Sequence, residues 1–228
     1  MQAEGADAER APDGRRLRWT EHRSQRRAGF VAAGALAIDR FGPDASAEQI
    51  AETAGVSRTV LYRYFRDRED LRQAIADQLV ATVIDSVLPT LQINPTSTPR
   101  QVIESVITVI IGWLDEHPNL YYFLRNRRTG ASLESVENTL ADQVAALLKV
   151  FLMFFGIDDE KAEPGAYGLV GLVESTGAWW LTKRSIGRDK LVTLLCEAVW
   201  AMLEGTARAN NIAVGYDDPL PFEALGAS

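Results

Sequence analysis

Between about residue 20 and residue 208, apolar side chains recur at spacings of three and four, and no stretch alternates apolar with polar residues between hairpin signals. A chain patterned this way cannot lay out a half-buried sheet, so its core has to come from helices packing on helices. At 228 residues and 46% hydrophobic content it can bury one large core or two modest ones. The single cysteine, Cys196, excludes an intramolecular disulfide and a thiolate cluster, and the two histidines, His22 and His117, leave little for a metal site. No cofactor and no metal are therefore expected. The longest apolar run, centred on Val106 to Leu114, falls well short of a membrane span, and the acidic first fourteen residues hold no apolar signal core. A cytoplasmic protein with no membrane partner is expected.

Local signals divide the chain into about nine helices, a three-helix head and a six-helix body. The first is expected from about Thr20 to Phe41, with Phe30, Gly34, Ala37 and Phe41 on one face and Gly42-Pro43 as its stop. Ser46 and Gln49 form a capping-box pattern that opens a short second helix, Gly55 turns the chain, and Ser57 caps a third helix carrying Val60, Leu61, Tyr62 and Phe65. A fourth runs from about Arg68 to Pro89 with Leu71, Ile75, Leu79, Val83 and Val87 on one stripe. Thr98 and Pro99 begin a segment, Gln101 to Leu114, that is apolar nearly all round; it suits a buried helix, and its Val and Ile content also suits a buried strand. Helices follow near 119–125, 132–155, 160–182 and 188–208. Residues 1–14 and 209–228 read as tails that carry no fold. The boundaries are then 15–67 for the head and 68–208 for the body.

Charge is divided along the same line. The chain has a net charge of −7, yet residues 15–76 carry a balance of +4, against −3 for residues 1–14 and −8 for residues 77–228. A basic head on an acidic body fits a polyanion-binding module joined to a part that avoids polyanions. Two short helices about a glycine turn form a helix-turn-helix, whose second helix enters the major groove. Its exposed face is expected to carry Ser57, Arg58, Thr59, Tyr62, Arg63 and Tyr64, with Arg68 opening the next helix and Ser46 at the start of the one before. Arg can pair bidentately with guanine or with phosphate, Thr can touch a thymine methyl, and Tyr and Ser hydroxyls can donate to phosphate oxygens. The arginine-rich arm from Arg15 to Arg27 either reaches the duplex or forms an exposed helix start.

The stretch IAETAGVSRTVLYRYFRDREDL resembles the signature of the TetR/AcrR family of bacterial transcriptional regulators. The family has an alanine-glycine-valine turn, here Ala54, Gly55 and Val56, before a recognition helix that ends in tyrosine-x-x-phenylalanine, here Tyr62 and Phe65. The resemblance covers roughly residues 30–79, with Arg68 where the family usually places a phosphate-contacting lysine. It implies a homodimer on a near-palindromic DNA operator, usually a repressor released by a small molecule held in the helical body. It also implies that the last two helices pair with those of a second copy, and Val173, Gly177, Trp180, Leu195 and Val199 are candidates for that interface.

In the body, Trp113, Tyr122, Phe151, Phe155 and Trp179 sit on faces with few charges and could line a pocket for a mainly hydrophobic effector, although any one of them could simply pack the core. Arg125, Arg127 and Arg128 could meet an anionic head group or only complement a helix end. No nucleophile-base pair and no phosphate-cradling loop is present, so an enzyme is not expected; a DNA binder without a ligand is the open alternative. Replacing Arg58 by Ala should relax base preference at one operator position by ~1–3 kcal/mol. Arg68→Ala should weaken all sequences alike and lower the salt slope by about 1. Titrations on variant operators at several salt concentrations separate the two effects.

Overall fold

The computed structural model describes residues 14–220 except 93, 95 and 126–132. Every regular element among them is helical: α1 (Gly14–Phe41), α2 (Ala47–Thr53), α3 (Arg58–Leu61), α4 (Arg68–Val87), α5 (Pro99–Glu116), α6 (Pro118–Arg125), α7 (Leu133–Phe154), α8 (Ala162–Lys183) and α9 (Arg188–Ala209), with 3-10 turns at Leu88–Leu91 and Asp159–Lys161. The all-α expectation holds. α1 begins earlier than Thr20, and α3 is a single turn: the Tyr62 N–H still donates to the Arg58 carbonyl at 3.1 Å, but Arg63 and Tyr64 bond only three residues back, as tight turns.

α5 shows how a Val- and Ile-rich run becomes a helix. The Thr98 hydroxyl accepts from the Gln101 N–H at 3.2 Å while the Gln101 amide oxygen accepts from the Thr98 N–H at 3.1 Å, and Pro99 occupies the first position. The capping box settles orphan donors that a strand would leave to neighbours.

The head core gathers Phe30, Val31 and Ile38 from α1, Ile50 from α2, Leu61 from α3, Phe65, and Leu71, Ile75 and Leu79 from α4. Leu120, Phe123 and Leu124 of α6 lie in that same core. A boundary between residues 67 and 68 is therefore too simple, since half of α4 and one face of α6 belong to the head. Phe41, expected inward, is 41% exposed. The stretch Arg68–Leu91 is long and apolar enough to cross a membrane by length and composition alone. Its buried stripe instead connects the head core, through Leu71 and Ile75, to the body, through Val83 and Val87.

Residues 210–220 are not a loose tail. The Arg100 N–H donates to the Tyr216 carbonyl at 3.0 Å, and the Leu220 N–H donates to the Ser97 carbonyl at 2.9 Å. The Arg100 guanidinium binds both Asp217 oxygens, at 2.6 and 3.1 Å, and lies over the Tyr216 ring. Trp200 stacks on Tyr216 as well, its ring centre 4.9 Å away and the planes 22° apart. The Asn-Asn and Asp-Asp-Pro punctuation marks turns in a packed strap rather than the end of order. Residues 1–13 and 221–228 lie outside the described residues. Ending the chain after Ala209 should remove roughly 2 kcal/mol of apolar burial and lower the melting temperature by about 4–8 °C, read by thermal unfolding against the full chain.

Candidate nucleic-acid interface and internal cavity

The helix-turn-helix is built by caps and one glycine. Ser46 and Gln49 close the capping box at 3.2 and 2.7 Å. At the far end of α2, Gly55 takes φ +65°, a left-handed conformation that costs glycine least, and the Val56 N–H returns to the Ala51 carbonyl at 2.9 Å. Ser57 then caps α3 through the Val60 N–H. Ala51 and Leu61 are buried where the two helices cross.

This arrangement leaves Ser57, Arg58, Thr59, Arg63 and Arg68 exposed on one end of the head, with Tyr62 half-buried beneath the Arg58 guanidinium, 5.5 Å from its ring centre. Tyr64 differs from expectation. Its ring meets Phe30 edge-on at 5.0 Å, so its body packs on the head core rather than facing outward with the others. Ser46 is half-buried and its hydroxyl is engaged in the cap. Two features escaped the sequence reading. The Arg58 guanidinium holds Glu48 of α2 at 2.7 Å, and its charge, with the local backbone hydrogen bond, keeps that carboxyl below the usual range. Asp70, in the first turn of α4, accepts from the Arg66 N–H at 2.9 Å and from Arg27 at 3.2 Å, which also holds it low.

Inside the body is a cavity of about 330 Å³. Its wall on α5 runs from Pro99 to Leu114, a length of roughly 22 Å at ~1.5 Å per residue. The space is thus an elongated channel, walled by Val83 and Val87 of α4, Val106, Ile107 and Ile110 of α5, Val136 and Leu140 of α7, and Leu169 and Val173 of α8. Val214 and Leu220 of the C-terminal strap close it beside Leu91, at the end distant from the head. Near the head it ends at Trp113, Tyr121, Glu137 and Glu174. There the Tyr121 hydroxyl donates to Glu174 at 2.7 Å and accepts from Arg125 at 2.9 Å, while burial first, then Glu174 and Glu134, push the Glu137 carboxyl upward.

Trp113 and Phe151 line this channel as expected, but Tyr122, Phe155 and Trp179 do not. A step of one residue turns a helical side chain by about 100°, so Tyr121 takes the inward position and Tyr122 faces out, 37% exposed. The same step sends Trp180 inward and leaves Trp179 45% exposed. Phe155 lies past the end of α7 and packs on Phe151 at 4.9 Å. The lining is mostly aliphatic, and the all-round apolar character of α5 was the signal for it. Arg127 and Arg128 lie outside the described residues.

The interface candidates Val173, Gly177, Trp180, Leu195 and Val199 are all buried within their own chain. Trp180 donates its indole N–H to the Ile186 carbonyl at 2.8 Å, and a side chain at Gly177 would press on Leu114. The outward face of α8 and α9 is made instead by Tyr167, Trp179, Leu194 and Met202, with Gly168, Gly171 and Gly205 among them.

Residues 31–75 match the bacterial regulatory proteins of the tetR family, and residues 90–214 match the tetracyclin repressor-like C-terminal domain. The chain belongs to the TetR family. It is 30% identical over 214 residues to Rv0472c of Mycobacterium tuberculosis, an uncharacterized HTH-type transcriptional regulator, covering 90% of this chain and 91% of that one. It is 25% identical over 198 residues to the HTH-type transcriptional activator FasR of Mycolicibacterium smegmatis, covering 83% and 86%. Among solved structures, a TetR-family regulator from Streptomyces coelicolor superposes with a TM-score of 0.65 at 24% identity, covering 80% of this chain and 84% of that one. FadR from Bacillus subtilis, in complex with stearoyl-CoA, superposes with a TM-score of 0.60 at 17% identity, covering 78% and 98%. The TetR-family chain is thus a DNA-binding transcriptional regulator and not an enzyme. Because Glu48 holds the exposed Arg58 guanidinium and adds a negative charge beside it, Glu48→Gln should tighten binding to non-specific duplex several-fold, measured by anisotropy at fixed salt.

Proposed function

We propose that this regulator is a homodimeric repressor, acting in the cytoplasm, whose grip on a near-palindromic operator is released by one long apolar chain lying in the α5 channel. The observation that carries the reading is the shape of that channel. It is elongated, runs the length of α5, is walled by aliphatic side chains, and reaches α6, whose opposite face sits in the head core. A long aliphatic chain matches the extent and the apolar chemistry of that lining. The FadR neighbour was solved with stearoyl-CoA, which carries such a chain.

The DNA-reading surface is Ser57, Arg58, Thr59, Tyr62 and Arg63, with Arg68 on a phosphate at the start of α4, where the helix dipole reinforces its neighbours' N–H groups. Ser46 and Tyr64 shape this surface rather than touch bases. The two copies would meet through Tyr167, Trp179, Leu194 and Met202, whose intervening glycines permit close helix approach.

A ligand changes DNA affinity only through different affinities for two body conformations. Alkyl amphiphiles of increasing chain length should raise the melting temperature progressively and release operator DNA in the same order. Val106→Trp, which fills the channel midway, should abolish both responses and leave DNA binding in place. A flat response across the series would favour a ligand-independent DNA binder.

A further inference from the structure

The wall of the α5 channel is aliphatic for most of its length, and its two ends differ in the sign of their charge. Among the described residues of the wall, three are charged: Glu137 and Glu174 at the head end, and Lys161. Packing along α8 places Lys161 at the other end. Gly177 lies against Leu114 and Gly168 against Met202, so α8 followed backwards from Gly177 leads away from the head. Lys161, the residue before α8, precedes Gly177 by sixteen residues, roughly 24 Å at ~1.5 Å per residue. It shares that end of the wall with Thr206 and Ala207, at the end of α9 from which the strap departs.

The head end is a poor seat for an anion. Leu114 and Tyr121 are buried there, so a charged group would lose its water. Two carboxylates already face it, and burial, with Glu174 and Glu134, pushes the Glu137 carboxyl upward. Arg125 offsets this only in part, since its guanidinium donates to the Tyr121 hydroxyl at 2.9 Å and lies over that ring. At the opposite end Lys161 is exposed, and a head group beside it keeps water on its outer side. Of the acids around Lys161, Asp158 caps the 3-10 turn by accepting from the Glu160 N–H at 3.0 Å. Asp159, Glu160 and Glu163 are exposed and lie outside the channel wall.

We propose that the channel takes an anionic amphiphile in one orientation, with its terminal methyl against Trp113 and its charged head beside Lys161 at the strap end. This rests on the reading of the channel as the effector site and adds the effector's charge and direction. The aliphatic wall holds the chain through buried area and is blind to direction. Direction comes from the ends, where Glu137 and Glu174 repel an anion and Lys161 attracts it.

The test uses the full chain and three probes of one chain length, each below its critical micelle concentration: tetradecanoate, tetradecanol and tetradecyltrimethylammonium. Binding is followed by tryptophan fluorescence, since Trp113 and Trp200 both line the channel. Tetradecanoate should bind more tightly than the ammonium probe. Lys161→Gln should weaken tetradecanoate about three- to fivefold, the scale of one exposed ion pair, and leave tetradecanol unchanged. Equal weakening of both, or of neither, overturns the inference. Tetradecanoate brominated at its last carbon should quench Trp113 and spare Trp200, a difference resolved with Trp113→Phe and Trp200→Phe chains. Quenching of Trp200 instead, or tighter binding of the ammonium probe, also overturns it. If none of the three probes binds, the effector reading of the channel falls, and this inference with it.

Discussion

The short helix α6 contributes to two cores at once, and the relation between head and body depends on it. Leu120, Phe123 and Leu124 are buried with α1 and α4 in the head, while Tyr121 points the other way into the channel and ties Glu174 of α8. Polar contacts brace the same joint. Asp39 of α1 meets the His117 ring at 2.9 Å and gives its carbonyl to the Asn119 amide at 2.7 Å, and the buried Arg72 guanidinium lies over Phe123 while donating to the Pro43 carbonyl. Packed interfaces of this kind shift between discrete arrangements rather than bending continuously. Tyr121 thus places the end of the channel one residue away from the side chains that seat the head.

Electrostatics assigns the two halves different tasks. The head's arginines are partly compensated by acids of its own, Glu48 for Arg58 and Asp70 for Arg27 and Arg66. Pairs whose arginines are this exposed add little to stability, so their effect is mainly to restrain the guanidinium groups. The body keeps an excess of acid on its surface and its ion pairs, such as Arg184 with Asp115, join its own helices. Duplex is thereby drawn to one end of the molecule.

The parts of this architecture written in local chemistry were legible in the sequence. Caps at Ser46, Ser57 and Thr98 and the glycine turn at Gly55 depend on residues within a few positions of each other, and they appear where the spacing put them. What depended on the rotation of one helix against another was not. Tyr121 and Tyr122, or Trp179 and Trp180, are adjacent aromatics that composition cannot tell apart, and which of the pair turns inward is decided by α8 and α6 packing on partners more than fifty residues away. The interface residues were misplaced for the same reason, because a helix with apolar residues all round does not declare which face its own core takes. The strap is not legible locally because what holds Tyr216, Asp217 and Leu220 is supplied from elsewhere, by Arg100 and Ser97 far back in the chain and by Trp200 of α9.

Cys196 lies on the inner side of α9, 5% exposed, and burial above all pushes its thiol up to about 11. In the folded protein it is neither ionised nor reachable at neutral pH, which is what thiol-directed reagents require. The native chain is accordingly silent toward maleimides and spin labels. A cysteine introduced on an exposed position of the head would be the site that reacts, and a probe placed there would report on the head alone without any background residue having to be removed.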